Sequence, residues 1–300
     1  MGLSALIQAV AALVAPAPAE GVEDLTPRQK AALVVVSGLP APKGVAGVIV
    51  RSYTRHLPRP PGAFVFVDQE GRGANAFDDL PPYRSASSYS RAREAAAAGR
   101  ATGGALRGEG VDIDIAPVVD LAGGPLGSRH FRRPALAHAF ARGLARARTR
   151  SCVKHFPGLG TARRSTDESP HVQARLVARE IAAFREAWRQ GVSCVMVSHA
   201  FYPRFGRRRA SFSVRAYRFL RGLGFQGVAI TDSVSVFGSP EAVPSALKGA
   251  RAGTDLILFT NGPDAARAIR ALVPLARQGL LDDNVERVLE LRRSLGLARP

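Results

Sequence analysis

The chain has 300 residues, 46% of them hydrophobic, enough to bury one large core, and carries 42 Lys+Arg against 24 Asp+Glu, a net charge of +18. The arginines run along the whole chain, Arg207-Arg208-Arg209 is the only triple, and no aromatic residues interleave with it as in a single-strand binding groove. This distribution argues against a nucleic-acid partner and for a solvated arginine-rich surface, with attraction to anionic wall polymers as a secondary property.

Met1 to Ala19 is uncharged and ends in Ala-Pro-Ala-Pro-Ala, like the middle and end of a signal peptide. A signal peptide also wants a basic start, and the first basic residue here is Arg28. Residues 1–24 are read as an N-terminal extension, signal-peptide-like or disordered, with a cytoplasmic location favoured over a secreted or cell-envelope one. No long uncharged apolar run follows, so no membrane span is expected. Thr26-Pro27 then reads as a helix cap and first turn.

Apolar, β-branched runs follow at Ala32–Val36, Val45–Val50, Phe64–Val67, Val111–Val119, Ser151–His155, Val192–Ser198, Val228–Thr231 and Asp255–Thr260. Helical, alanine- and arginine-rich segments lie between most of them: Arg91–Arg107, Pro134–Arg148, Leu176–Gln190, Val214–Leu223 and Glu241–Ala252. A last helix follows Val285, to about Leu297. Continuous apolar strands alternating with helices predict a parallel sheet covered by helices, and eight units predict an α/β fold of the (β/α)8 TIM-type barrel class. Such a barrel takes roughly 250 residues, so residues 25–300 are read as one domain. Only the Gly/Pro loop Ser37–Gly44 joins the first two strands, too short for the usual parallel crossover, which leaves an antiparallel pair and an irregular barrel there.

The two cysteines, Cys152 and Cys194, lie in different predicted strands. If Lys154 faces inward, so does Cys152; if His199 faces inward, Cys194 faces outward. A disulfide is therefore not favoured, and two sulfurs are too few for a metal site.

Chemistry concentrates at the predicted strand ends. In Cys152-Val153-Lys154-His155-Phe156-Pro157-Gly158-Leu159-Gly160 an apolar strand presents an ammonium and an imidazole, then turns sharply through Pro-Gly-x-Gly. Lys154 to Gly160 resembles the Lys-His-Phe-Pro-Gly-x-Gly signature of glycoside hydrolase family 3, most closely its single-domain β-N-acetylglucosaminidases, and the resemblance runs from about Thr26 to the end. The length leaves no room for the second sandwich domain of many family 3 β-glucosidases.

Other segments agree. Asp68-Gln69-Glu70-Gly71 resembles the family's Asp-x-Glu-Gly-Gly, which implies that Asp68 binds sugar hydroxyls; two carboxylates at a strand end must in any case be exposed or partnered. The next residues, Arg72-Gly73-Ala74-Asn75-Ala76, depart from the pattern, and Ala76 stands where the resemblance implies a sugar-binding arginine. Asp112-Ile113-Asp114-Ile115-Ala116-Pro117-Val118-Val119-Asp120, followed by Gly127-Ser128-Arg129, makes Arg129 the match to another sugar-binding arginine, with Asp114 or Asp120 available as its ion-pair partner. Lys154 and His155 would donate to ring hydroxyls. His199, in a Met-x-x-His segment, is either a satisfied core histidine or a further substrate contact.

Gly224-Phe225-Gln226-Gly227-Val228-Ala229-Ile230-Thr231-Asp232-Ser233 resembles the segment that carries the family's nucleophile, which implies that role for Asp232. Ser233 replaces a neighbouring acid, removing a like charge. The same branch takes its proton from an Asp-x-His dyad after the fifth strand, but Ser165 and Asp167 stand at those positions. The candidate acid/base groups are Asp167 and His171, paired or singly, with Glu168 as an alternative acid.

The resemblance implies a retaining hydrolase that releases terminal β-linked N-acetylhexosamine from cell-wall-derived or chitin-like glycans through a covalent glycosyl–Asp232 intermediate, with no metal or organic cofactor. The residues leave two alternatives open: a family 3 β-glucosidase or phosphorylase, and a glycan-binding barrel with impaired catalysis.

Overall fold

The computed structural model describes residues 21–297, so all of the predicted N-terminal extension except residues 21–24 lies outside the described residues. The described strands are β1 (Val35–Ser37), β2 (Gly47–Ile49), β3 (Phe64–Val67), β4 (Ile113–Asp114), β5 (Arg150–Phe156), β6 (Cys194–Val197), β7 (Val228–Thr231) and β8 (Ile257–Leu258). Their order is β7-β6-β5-β4-β3-β2-β1-β8, and every neighbouring pair is parallel. A parallel bridge between Ile230 and Leu256, with Leu256 N–H donating to Ala229 O at 3.1 Å, joins the two ends of the sheet, so the strands form a nearly closed barrel. Phe64, Phe66, Ile113, Met196 and Ile230 belong to one buried apolar cluster, consistent with a packed barrel interior rather than a pore.

The helices are α1 (Pro27–Leu33), α2 (Ala92–Gly108), α3 (Pro134–Arg146), α4 (Ala178–Arg189), α5 (Val214–Gly222), α6 (Ser239–Ala252), α7 (Gly262–Arg277) and α8 (Asp282–Ser294). Helix α7 is absent from the segments singled out in the sequence. Its start is nevertheless capped, with Asn261 Oδ1 accepting from Asp264 N at 2.9 Å and a proline in its first turn. No helix among the described residues is long and apolar enough to cross a membrane.

The structure corrects three local expectations. Ala32 and Leu33 belong to α1 and not to the first strand. Thr26 and Gln29 form a reciprocal capping box that starts the helix, and a short buried apolar run does not by itself distinguish helix from strand. Strands β1 and β2 are parallel, pairing Val36 with Gly47. The usual crossover length assumes longer strands; a strand this short rises only about 10 Å, a distance residues 38–46 readily span without a helix.

Cys152 and Cys194 form a disulfide, facing each other in the β5–β6 register with Cα atoms 4.4 Å apart and fully buried. The alternation argument counted back from His199, but β6 ends at Val197, so strand parity does not extend to the histidine.

Candidate active site

At the carboxyl ends of the strands lies a cavity of about 510 Å³ whose lining includes Asp68, Glu70, Arg129, Lys154, Asp167 and Asp232. Five different backbone segments converge there. Strand β3 leads into Asp68 and Glu70, β5 carries Lys154 and His155, and β7 leads into Asp232. A 3-10 turn over Gly127–Arg129 supplies Arg129, and the loop after β5 supplies Asp167.

Lys154 sits among carboxylates. Its Nζ lies 2.7 Å from Asp68 Oδ1 and 2.6 Å from Glu70 Oε1. Arg129 grips the same Glu70 in bidentate fashion, Nε to Oε2 at 2.7 Å and Nη2 to Oε1 at 2.8 Å. Glu70 is therefore a buried carboxylate with two cationic partners, and it, rather than Asp114 or Asp120, pairs with Arg129. Burial pushes the Glu70 carboxyl up, but Lys154 and Arg129 outweigh it and hold it below its ordinary value. Asp68 follows the same pattern, pulled down chiefly by Lys154. Burial lowers the Lys154 ammonium's affinity for its proton, and the two carboxylates more than restore it.

Asp114 lies beneath this network. Its Oδ1 accepts the Gln69 N–H at 2.9 Å, while its buried Oδ2 has no hydrogen-bond partner among the described residues, and burial pushes its carboxyl well above the usual range.

His155 is oriented by Asp120, whose Oδ2 lies 2.8 Å from Nδ1 and whose Oδ1 accepts the N–H groups of His155 and Leu159 at 3.0 and 2.9 Å. With Nδ1 donating to the carboxylate, Nε2 is the ring nitrogen left for the cavity. Glu180 in α4 secures the following turn, its Oε1 accepting from Leu121 N at 3.1 Å and Gly160 N at 2.7 Å. The motif glycines are required by this packing: a Cβ at Gly158, which has φ +123°, would fall 2.4 Å from Glu180 Cδ.

Asp232 is 9% exposed. Its Oδ1 accepts the Ser233 N–H at 2.8 Å, and Thr166 Oγ1 approaches Oδ2 at 3.4 Å. The loop after β5 thus reaches across to the expected nucleophile. Beside Thr166, Asp167 lines the cavity, its N–H donating to Ser165 Oγ at 3.2 Å and its Oδ2 3.4 Å from the same hydroxyl.

Two predicted site residues are placed elsewhere. His171 is exposed, stacks on Phe201 with ring centroids 6.2 Å apart, and lines a neighbouring cleft with Arg163, Arg164 and Arg175. It makes no pair with Asp167, because the Ser169-Pro170 segment, held by Arg209 through Pro170 O, carries the chain away from the cavity. His199 is fully buried and does not line the cavity. Its Nε2 lies 3.1 Å from Ser233 O and its Nδ1 2.6 Å from Ser211 Oγ, so it braces the turn behind Asp232. Burial lowers its pKa, which suits a neutral ring donating from Nε2 and accepting at Nδ1. Sequence reasoning missed the supporting role of Asp120 and the presence of Arg51 in the lining. The signal for both was a charged residue just after an apolar strand or extended run.

The model of the glycosyl hydrolase family 3 N terminal domain matches residues 49–291. A beta-hexosaminidase of Thioalkalivibrio sulfidiphilus is 36% identical over 250 residues, 72% of this chain and 70% of that protein. A glycoside hydrolase family 3 beta-N-acetylglucosaminidase from a Paenibacillus species superposes with a TM-score of 0.78 at 25% identity, covering 92% of this chain and 64% of that one. A glycosyl hydrolase of the same family from Mycobacterium smegmatis gives a TM-score of 0.80 at 25% identity, covering 90% of this chain and 98% of that one.

Proposed function

The chain belongs to glycoside hydrolase family 3, and from that premise we propose that it releases a terminal β-linked N-acetylhexosamine with retention of configuration. The observation that carries the mechanism is the presence of Asp232 and Asp167 in one cavity with the Lys154–Asp68–Glu70–Arg129 network. The names of the relatives support the acetamido sugar. Glycans derived from cell walls or chitin are the proposed source.

In the first step the Asp232 carboxylate attacks the anomeric carbon as the glycosidic C–O bond breaks, and Asp167 gives its proton to the departing oxygen. The product is a glycosyl ester on Asp232. In the second step the Asp167 carboxylate takes a proton from water, the hydroxyl oxygen bonds to the anomeric carbon, and the ester bond to Asp232 breaks. Ser165 holds Asp167 through backbone and side chain, an orienting contact weaker than a carboxylate–histidine pair. Asp68, Arg129, Lys154 and His155 hold the sugar, and His199 supports the nucleophile's turn.

The test is hydrolysis of dinitrophenyl and nitrophenyl β-N-acetylglucosaminides beside the β-glucosides, with and without phosphate, on wild type and Asp232→Ala. Acetamido-sugar turnover that vanishes in Asp232→Ala, with a fluorosugar adduct on Asp232 by mass spectrometry, supports the reading. Phosphate-dependent turnover favours a phosphorylase, and a folded protein that binds the sugar without turnover is a glycan-binding barrel.

A further inference from the structure

Arg51 has no role in the reaction above. Strand β2 ends at Ile49, and Arg51 begins the turn that follows, a 3-10 segment over Ser52–Thr54. Its backbone is pinned: its N–H donates to Thr54 Oγ1 at 3.0 Å, and its carbonyl accepts the Thr54 N–H at 2.9 Å. Its side chain is 40% exposed and lines the cavity.

Three cations line that cavity, and they are not equivalent. Lys154 and Arg129 are engaged by Asp68 and Glu70 at hydrogen-bonding distance. The Arg51 guanidinium comes no nearer than 4.0 Å to Asp68 Oδ2 and makes no hydrogen bond to the protein among the described residues. Asp68 Oδ1 is taken by Lys154, whereas Oδ2 accepts no hydrogen bond among the described residues. A free acceptor and a free fork of donors therefore face each other across a gap suited to one intervening oxygen. A hydroxyl placed there donates to Asp68 and accepts from Arg51.

Ala76 explains why the place is open. Its N–H donates to Asp68 O at 2.7 Å, which fixes it beside the same aspartate, but its methyl offers no donor. The lining also includes four carboxylates, Asp68, Glu70, Asp167 and Asp232, against the three cations. This balance favours an uncharged polyhydroxyl ligand over an anionic one.

We infer that Arg51 binds a sugar hydroxyl together with Asp68 and so helps set which sugar the cavity accepts, standing in from β2 for the guanidinium that position 76 lacks. The inference rests on the glycosidase reading. A purely structural Arg51–Asp68 pair at that distance and exposure would contribute little to stability and would leave selectivity unchanged.

The experiment compares wild type, Arg51→Ala, Arg51→Lys and Arg51→Ala/Ala76→Arg on nitrophenyl β-N-acetylglucosaminide and its 3-, 4- and 6-deoxy forms, with melting temperatures alongside. Arg51→Ala is expected to lower kcat/KM roughly 10- to 100-fold without a large change in melting temperature, and Arg51→Lys to recover only part. One deoxy substrate is expected to suffer a similar loss with wild type and little further loss with Arg51→Ala. The double variant is expected to regain about tenfold. Arg51→Ala within about twofold of wild type on every substrate, or deoxy penalties equal in wild type and Arg51→Ala, overturns the inference. No regain in a double variant of unchanged melting temperature overturns the exchange of arginines. If wild type turns over no aryl glycoside, the glycosidase reading fails separately, and calorimetry with N-acetylglucosamine decides Arg51: weaker binding to Arg51→Ala supports it, and equal binding overturns it.

Discussion

Replacing Glu70 by glutamine separates burial from sugar contact in the charged network. Glu70 has a 4% exposed side chain and holds Lys154 and Arg129 at 2.6 to 2.8 Å, whereas Asp68 is 27% exposed and holds Lys154 alone at that range. Glutamine keeps the shape but turns one acceptor oxygen into an NH2 group, which then faces the donors of a cation. Removing one partner from a buried ion pair costs about 3–5 kcal/mol, so Glu70→Gln is expected to lower the melting temperature by roughly 6 °C or more. Asp68→Asn leaves Lys154 paired with Glu70 and is expected to cost about 1 kcal/mol of stability while reducing kcat/KM more than it reduces stability. The pH dependence follows from the lowered Glu70 carboxyl. Its contribution is fully present above the unfolded value of about 4.3 and is lost as pH falls through the folded value, so the gap between wild type and Glu70→Gln closes in acid. Thermal unfolding from pH 3 to 8, with kinetics near neutrality, reads both effects. A Glu70→Gln protein as stable as wild type at pH 7, or an Asp68→Asn protein that loses more stability than Glu70→Gln, refutes the reasoning.

Asp120→Asn is expected to lower kcat/KM roughly 10- to 100-fold by releasing the His155 ring, and a rate near wild type would show that the orientation is not needed. Asp167→Ala is expected to cost about 10²–10⁴-fold with a nitrophenyl leaving group and much less with dinitrophenyl, while His171→Ala stays within about twofold; similar losses in both variants would restore His171 to the proton path. Burial, and then the charge of Asp120, pushes the Glu180 carboxyl up to about 7. A raised acid favours the folded state below its unfolded value, and that benefit is lost as pH rises toward 7, so Glu180→Gln is expected to gain on wild type across that window; parallel melting curves would refute it.

Strand ends were legible in the sequence because the barrel makes them so. Phe64–Val67 and Val228–Thr231 coincide with the observed strands, and Asp68 and Asp232 follow directly, since a carboxylate after a buried run has to lie where solvent or a partner can reach it. What the one-dimensional pattern did not carry was pairing between segments. Arg129 had two acidic candidates nearby in the sequence, Asp114 and Asp120, and only the fold brings it to Glu70, fifty-nine positions away. The disulfide was missed for a related reason: parity along one strand says nothing about residues beyond its end. His171 was misplaced because proximity in a loop was taken for proximity in space, while the Ser169-Pro170 segment turned the chain outward.

The substitutions that distinguish this chain from its family's pattern fall outside the barrel strands. Ser165 and Asp167 stand on the loop after β5, Ala76 on the loop after β3 and Ser233 just after β7. In a barrel enzyme the strands fix where the reacting carbon sits, and the loops decide what surrounds it. Lys154 and His155 are strand residues, and Asp232 continues the β6–β7 pairing through its N–H to Val197 O at 3.0 Å. In the proposed mechanism the attack geometry is therefore held by the sheet. In the proposed mechanism the acid and the hydroxyl contacts lie on loops, where a serine can stand in place of a carboxylate without disturbing the barrel. If Asp232 is the nucleophile as proposed, changes of that kind are expected to alter leaving-group dependence and sugar selectivity before they alter the capacity to form the glycosyl–Asp232 bond.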